Sequence, residues 1–220
     1  MGGRRLSNAG PKRLIEPALI AGIAVPFIYF GTQAVTIPLY PGYDLLHQAA
    51  SELGSETAPF GWLFNVGAFL TVLAAFCAAY GVGRGLHRLG AWPILAWLAA
   101  LALVSSGAAS LNASLFHLPD PRHNPGWLGI GMFVFPLLLL AAIWGLPGVG
   151  RLKACVLFCL LALAALAPVM AGLTGIDRRH YGGLLQRFVA LALLLPVGFA
   201  AFWLLRRLRS HPIASRAFSS

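Results

Sequence analysis

The sequence predicts an all-α membrane protein, a bundle of six transmembrane helices with a short amphipathic helix in the loop after the first. Three observations lead there. Six apolar stretches follow one another along the chain, each about 20 residues or longer, enough at about 1.5 Å per residue to cross a hydrocarbon core about 30 Å thick. Hydrophobic residues make up 59% of the 220 and charged residues 10%, against roughly 45–50% and 25% in soluble domains. The basic residues also sort to one side of the stretches. Twelve of the sixteen lie before the first span, between the second and third, between the fourth and fifth, or after the sixth.

The spans are 14–36, 60–82, 91–116, 127–146, 154–174 and 184–205. They leave a basic N-terminus at 1–13, a membrane domain at 14–206 and a basic tail at 207–220, polar from Ser210 and expected to be disordered. Short loops rich in Lys and Arg stay in the cytoplasm, so both termini are expected inside a multi-pass protein of the cell (inner) membrane. The basic clusters include Arg4, Arg5, Arg84, Arg88, Arg151, Lys153, Arg206 and Arg207. Their place at span ends suits the anionic headgroups of a lipid bilayer rather than nucleic acid. The first span exceeds the 7–15-residue core of a signal peptide and no small-x-small site follows it, so cleavage is not expected. Cys77, Cys155 and Cys159 all fall within spans and read as packing residues.

Pro38, Pro41 and Gly42 stop the first span. At 100° per residue, 43–53 then puts Leu45, Leu46, Ala49, Ala50 and Leu53 on one face. Asp44, His47, Gln48, Ser51 and Glu52 fall on the other. That pattern predicts an amphipathic helix lying in the interface or capping the bundle, ended by Gly54. The third span is rich in small residues at its outer half, with Ser106, Ser110 and Ser114 on one stripe. Such residues serve close helix packing or line a polar pocket mouth. Asn65 and Asn112 lie at similar depth and are expected to point inward, because an amide facing lipid is left unsatisfied.

Taken together, several segments resemble one family. They are Tyr40-Pro41-Gly42-Tyr43, Ala50-Ser51-Glu52-Leu53-Gly54, Ala58-Pro59 and Phe64-Asn65-Val66-Gly67, then Phe116-His117-Leu118-Pro119-Asp120 with His123, and Gly183-Leu184-Leu185-Gln186-Arg187-Phe188. The chain is similar to the six-span prokaryotic membrane proteins grouped as domain of unknown function 998. The resemblance runs from the first span to the sixth. One departure is visible: His117 stands where the family's Phe-Pro-x-Asp pattern has its proline. The resemblance implies fold and membrane location and no reaction.

The chemistry-bearing residues gather on the outer side: Asp44, His47, Ser51, Glu52, Asn65, Asn112, His117, Asp120, His123, His180 and Arg187. Histidines with carboxylates are what a zinc site needs, and His117, Asp120 and His123 come nearest to a set. Pro119, Pro121 and Pro125 keep that stretch off a regular helix, so spacing does not decide it. No histidine lies near the middle of a span, which argues against haem, and no cofactor is expected. Arg187, about one turn into the sixth span, either snorkels to headgroups, holds an anion or pairs with a carboxylate. Pairing with Glu52 is the expectation, with Asp120 the other candidate. Asp177-Arg178-Arg179-His180 reads as a solvated loop.

Two classes of function remain. One is a membrane protein of unknown biochemical activity that binds, senses or moves a lipid or small solute through an outward-facing polar pocket. The other is a membrane-embedded enzyme, metal-dependent and hydrolase-like, using the outer histidines and carboxylates. No charge lies at mid-span, which disfavours an ion pump. Oligomeric state is left open.

Overall fold

The computed structural model describes residues 10–210. The basic residues Arg4, Arg5 and Arg216, with nearly all of the polar tail, lie outside them. Six helices follow one another: α1 (Gly10–Thr36), α2 (Gly61–Arg88), α3 (Pro93–Leu115), α4 (Ile130–Ile143), α5 (Gly150–Met170) and α6 (Arg178–Ser210). All six spans are long and apolar enough to cross a membrane, the fourth only when the turns before α4 are counted, from Pro121. The connection after α1 meets the connection after α3 and the first turns of α6 at one end, the loop end, where Glu56 N donates to Leu118 O (3.1 Å) and Gly183 N to Leu46 O (2.9 Å).

Large apolar side chains ring the bundle, among them Phe27, Phe158 and Leu161, each about 70% exposed, as lipid-facing residues should be. Inside, α1, α2 and α6 pack through small residues. A Cβ on Gly22 would stand 2.8 Å from Ala201 Cβ and 3.1 Å from Ala78 Cβ, so that crossing needs glycine. Ala78, Ala200 and Ala201 are completely buried there. Lipid tails are as apolar as these side chains, so close van der Waals packing rather than water exclusion holds the helices together. α5 packs outside this core, against α6 and more sparsely against α4.

Three expectations about the elements need correction. The fourth span is not one helix: α4 has 14 residues, preceded by 3-10 turns at Pro121–His123 and Gly126–Gly129. Gly126 takes φ +54°, outside the right-handed helical region, and so separates the turn at Pro121–His123 from α4. The sixth helix exceeds its expected bounds of 184–205, since α6 runs from Arg178 to Ser210. Arg207 there donates to Pro147 O (3.2 Å), and Arg209 pairs with Glu16 (3.0 Å). Cys77 faces outward, although Cys159 is a buried packing residue.

The first loop also differs. Its helix is a 3-10 helix confined to Ala50–Gly54, entered through Ala49 in extended backbone (φ −67°, ψ 149°). Residues 45–47 form a turn, with Gln48 N donating to Asp44 O at 2.8 Å. Only the second half of the predicted apolar face is buried: Ala50 and Leu53 are 1% and 2% exposed, Leu45 and Leu46 44% and 42%. The cause lies in where the carbonyls go. Those of Leu45, Leu46 and Gln48 accept from α6, and those of Gln48 and Ala49 from the Tyr43 hydroxyl. A regular helix would have kept these carbonyls for its own N–H groups.

Candidate functional site

Beneath this loop, α1, α2, α3, α4 and α6 enclose a cavity of about 350 Å³. Its apolar walls include Val25, Phe64, Leu103, Phe135, Leu193 and Val197. Ser51, Asn65, Ser110, Ser114, His117, His123 and Gln186 also line it, supplied by the first loop, the α3–α4 loop and the loop-end halves of α2, α3 and α6. Among the described residues no Asp, Glu, Lys or Arg lines it. The serine stripe of α3 therefore borders a pocket as well as a helix contact.

The amides and imidazoles among them are held by backbone. Asn65 Nδ2 donates to Gly54 O at 3.0 Å, and Gln186 Oε1 accepts from Ala50 N at 2.6 Å. His117 Nε2 lies 2.8 Å from Ser114 O, and His123 Nδ1 lies 2.7 Å from Phe116 O. The structure thus brings together four of the residues singled out in the sequence: Ser51, Asn65, His117 and His123.

The other candidates go elsewhere. Asn112 does not reach into the bundle; its Nδ2 donates to Arg122 O (2.6 Å), bracing the α3–α4 loop. Asp120 turns to Arg122, with Oδ2 2.7 Å from Nη2. That guanidinium, together with the Arg122 N–H, holds the Asp120 carboxyl below the usual carboxylate range. Asp44, His47 and His180 gather on the exposed side of the first loop, His47 Nδ1 2.7 Å from Asp44 Oδ2 and His47 Nε2 3.1 Å from His180 Nδ1. The Leu46 N–H first, and His47 second, lower the Asp44 carboxyl. His180, at the start of α6, thus touches the first loop while staying exposed.

Arg187 does not pair with Glu52. Its Nη1 donates to the carbonyls of Leu45 (3.2 Å), Gln48 (3.0 Å) and Gly183 (2.8 Å), and its Nη2 to the Tyr43 hydroxyl (2.6 Å). Glu52 instead accepts from Ala49 N (2.7 Å) and Gln48 Nε2 (3.1 Å), closing the 3-10 helix. Among the described residues no carboxylate lies within 4 Å of Arg187. The broken helix had left carbonyls free, and a guanidinium with five donors collects them. Burial pushes the Tyr43 phenol up, with Arg187 pulling the other way.

Sequence reading passed over Gln186 and Tyr43 as functional residues. For Gln186 a signal was present: an amide inside a span, next to an arginine, is costly unless it has a partner. For Tyr43 none was, because a tyrosine at a membrane interface is ordinary.

The alternative of a metal-dependent enzyme finds no support in this geometry. Among the described residues no three His, Cys, Asp or Glu side chains converge as metal ligands would. His117, Asp120 and His123 do not form a set, because Asp120 is taken by Arg122. Fold and site define a multi-pass helical membrane protein with an uncharged, largely apolar cavity beneath a packed loop. The chain belongs to the family described as Protein of unknown function (DUF998), which it matches over residues 22–203, from α1 into α6. Neither curated proteins nor solved structures gave a match.

Proposed function

We propose that this protein binds a lipid or small apolar solute in the cavity, at the outward face of the cell membrane, with both termini in the cytoplasm. One observation carries the reading: an apolar chamber of about 350 Å³ with polar groups contributed by several elements. That combination is the usual composition of a small-molecule site, where apolar walls supply area and a few polar groups set orientation. The orientation rests on the charges. Arg84, Arg88, Arg151, Lys153, Arg206, Arg207 and Arg209 all belong to the end opposite the loops, where anionic headgroups would meet them. The reading involves no cofactor and no nucleic acid.

The test is co-purification. The protein is extracted with its surrounding lipid in polymer discs, and bound molecules are identified by mass spectrometry. A species enriched in the wild type and lost from Ala190→Trp, which fills the cavity wall, supports the reading. Identical lipid profiles for the two proteins would end it. Orientation is read separately, from impermeant thiol labelling of Ser55→Cys and Ser215→Cys in a Cys77→Ala background. Labelling of Ser215→Cys but not Ser55→Cys on intact cells would invert it.

A further inference from the structure

Resting on the binding reading above, we propose that the occupant is a neutral lipid alcohol, one apolar chain ending in a hydroxyl that donates to His117 or His123. The first step is the tautomer of each imidazole. A backbone carbonyl can only accept, so the nitrogen facing it must carry the hydrogen. That nitrogen is Nε2 in His117, against Ser114 O, and Nδ1 in His123, against Phe116 O. In the neutral ring the other nitrogen is then an acceptor with its lone pair free. Both rings line the cavity, and neither second nitrogen makes a hydrogen bond among the described residues.

Gln186 supplies the opposite polarity. Its Oε1 is occupied by Ala50 N, which leaves the amide N–H groups to donate. A hydroxyl both donates and accepts, so it can serve an imidazole lone pair as well as the Gln186 amide. An ester or ether only accepts, so it offers the imidazole lone pair no hydrogen bond.

Charge narrows the class further. Among the described residues no ionic side chain lines the cavity. Arg187 is committed to the first loop and Asp120 to Arg122. A carboxylate, phosphate or ammonium head would therefore enter without a counter-charge, which is far less favourable than entry of a neutral head. The rest of the chamber suits a hydrocarbon chain, with Phe135, Leu193 and Val197 among its walls. Phe133, which lines the cavity, is also 53% exposed.

The experiment uses the full chain in phosphatidylcholine nanodiscs and four photo-crosslinking probes. All carry one mid-chain diazirine on a sixteen-carbon chain. They end in a hydroxyl, a methyl ether, a carboxylate or a trimethylammonium group. The hydroxyl probe should label peptides of α3 and α6 about tenfold more than the ether, the change expected for one unmatched hydrogen bond. His117→Phe/His123→Phe should bring the hydroxyl probe down to the ether's level while ether labelling persists, which shows the cavity intact. Equal labelling by all four heads, or preference for a charged one, would overturn the alcohol and leave cavity binding standing. Absence of labelling sensitive to Ala190→Trp with every probe would overturn both.

Discussion

Arg187 Nη2 lies 2.6 Å from the Tyr43 hydroxyl, and the guanidinium also stands 5.7 Å from the centre of the Tyr43 ring. Two residues far apart in sequence thereby fasten the first loop to α6 above the cavity. The same Tyr43 hydroxyl reaches Ala49 O at 2.8 Å and Gln48 O at 3.1 Å. The loop is thus held by side chains grasping its carbonyls. A charge placed among carbonyl dipoles is stabilised without a counter-ion, although Arg187 Nε remains buried with no partner.

Removing the arginine should therefore cost more than removing the phenol. Arg187→Ala removes a donor from three carbonyls and should destabilise the solubilised protein by about 2–4 kcal/mol, Tyr43→Phe by about 1–2 kcal/mol. The double mutant should cost less than the sum, because the two share a hydrogen bond. Glu52→Gln combined with Arg187→Ala should add independently in the same thermal unfolding assay. Coupling between Glu52 and Arg187 as large as that between Tyr43 and Arg187 would contradict the contacts described.

Gly183 is the other fastening point. A Cβ there would stand 2.7 Å from Leu45 O and closer still to Gln48 O. Gly183→Ala should therefore lift the loop off α6, at a cost of about 1–3 kcal/mol. Hydrogen exchange should quicken in residues 43–54 and stay unchanged in α2 and α3. Unchanged protection in the loop would mean that the contact tolerates a methyl group.

The Tyr43 phenol predicts an alkaline limit. Burial raises its folded-state pKa above the ordinary value of about 10. A group shifted upward contributes stability that is complete below the unfolded value and disappears as pH rises through the folded one. The wild-type melting temperature should thus fall faster than that of Tyr43→Phe once the pH passes about 10. Parallel curves for the two proteins would place the phenol outside the loop's stability.

Arg209 and Glu16 offer the contrast. Their side chains are 55% and 49% exposed, with Nη2 and Oε2 3.0 Å apart. A pair so open to solvent contributes roughly 0–1 kcal/mol, so Glu16→Gln should shift melting by little, and less in high salt. A loss as large as that of Arg187→Ala would show that this end of the bundle is shielded.

Membrane residence, the number of spans and the segregation of charge were determined by the sequence alone. They depend on span length and residue type, and lipid imposes the helix on any long apolar segment because no water is there to satisfy its backbone. Part of the site was equally legible: Ser51, Asn65, His117 and His123 were singled out, and all line the cavity. Tertiary structure decided the rest. Nothing in residues 43–53 announces that their helix would give up its carbonyls to Arg187, to Tyr43 and to the N–H groups of Gly183 and Leu184. Every residue carries a carbonyl, so sequence pattern shows a carboxylate partner for an arginine far more readily than a backbone one. Gln186, an amide inside a span, signalled the need for a partner, but which partner, Ala50 N at 2.6 Å from its Oε1, only the fold decided. Side-chain chemistry is written residue by residue, whereas the partners a freed backbone will take are settled by which elements come to lie against it.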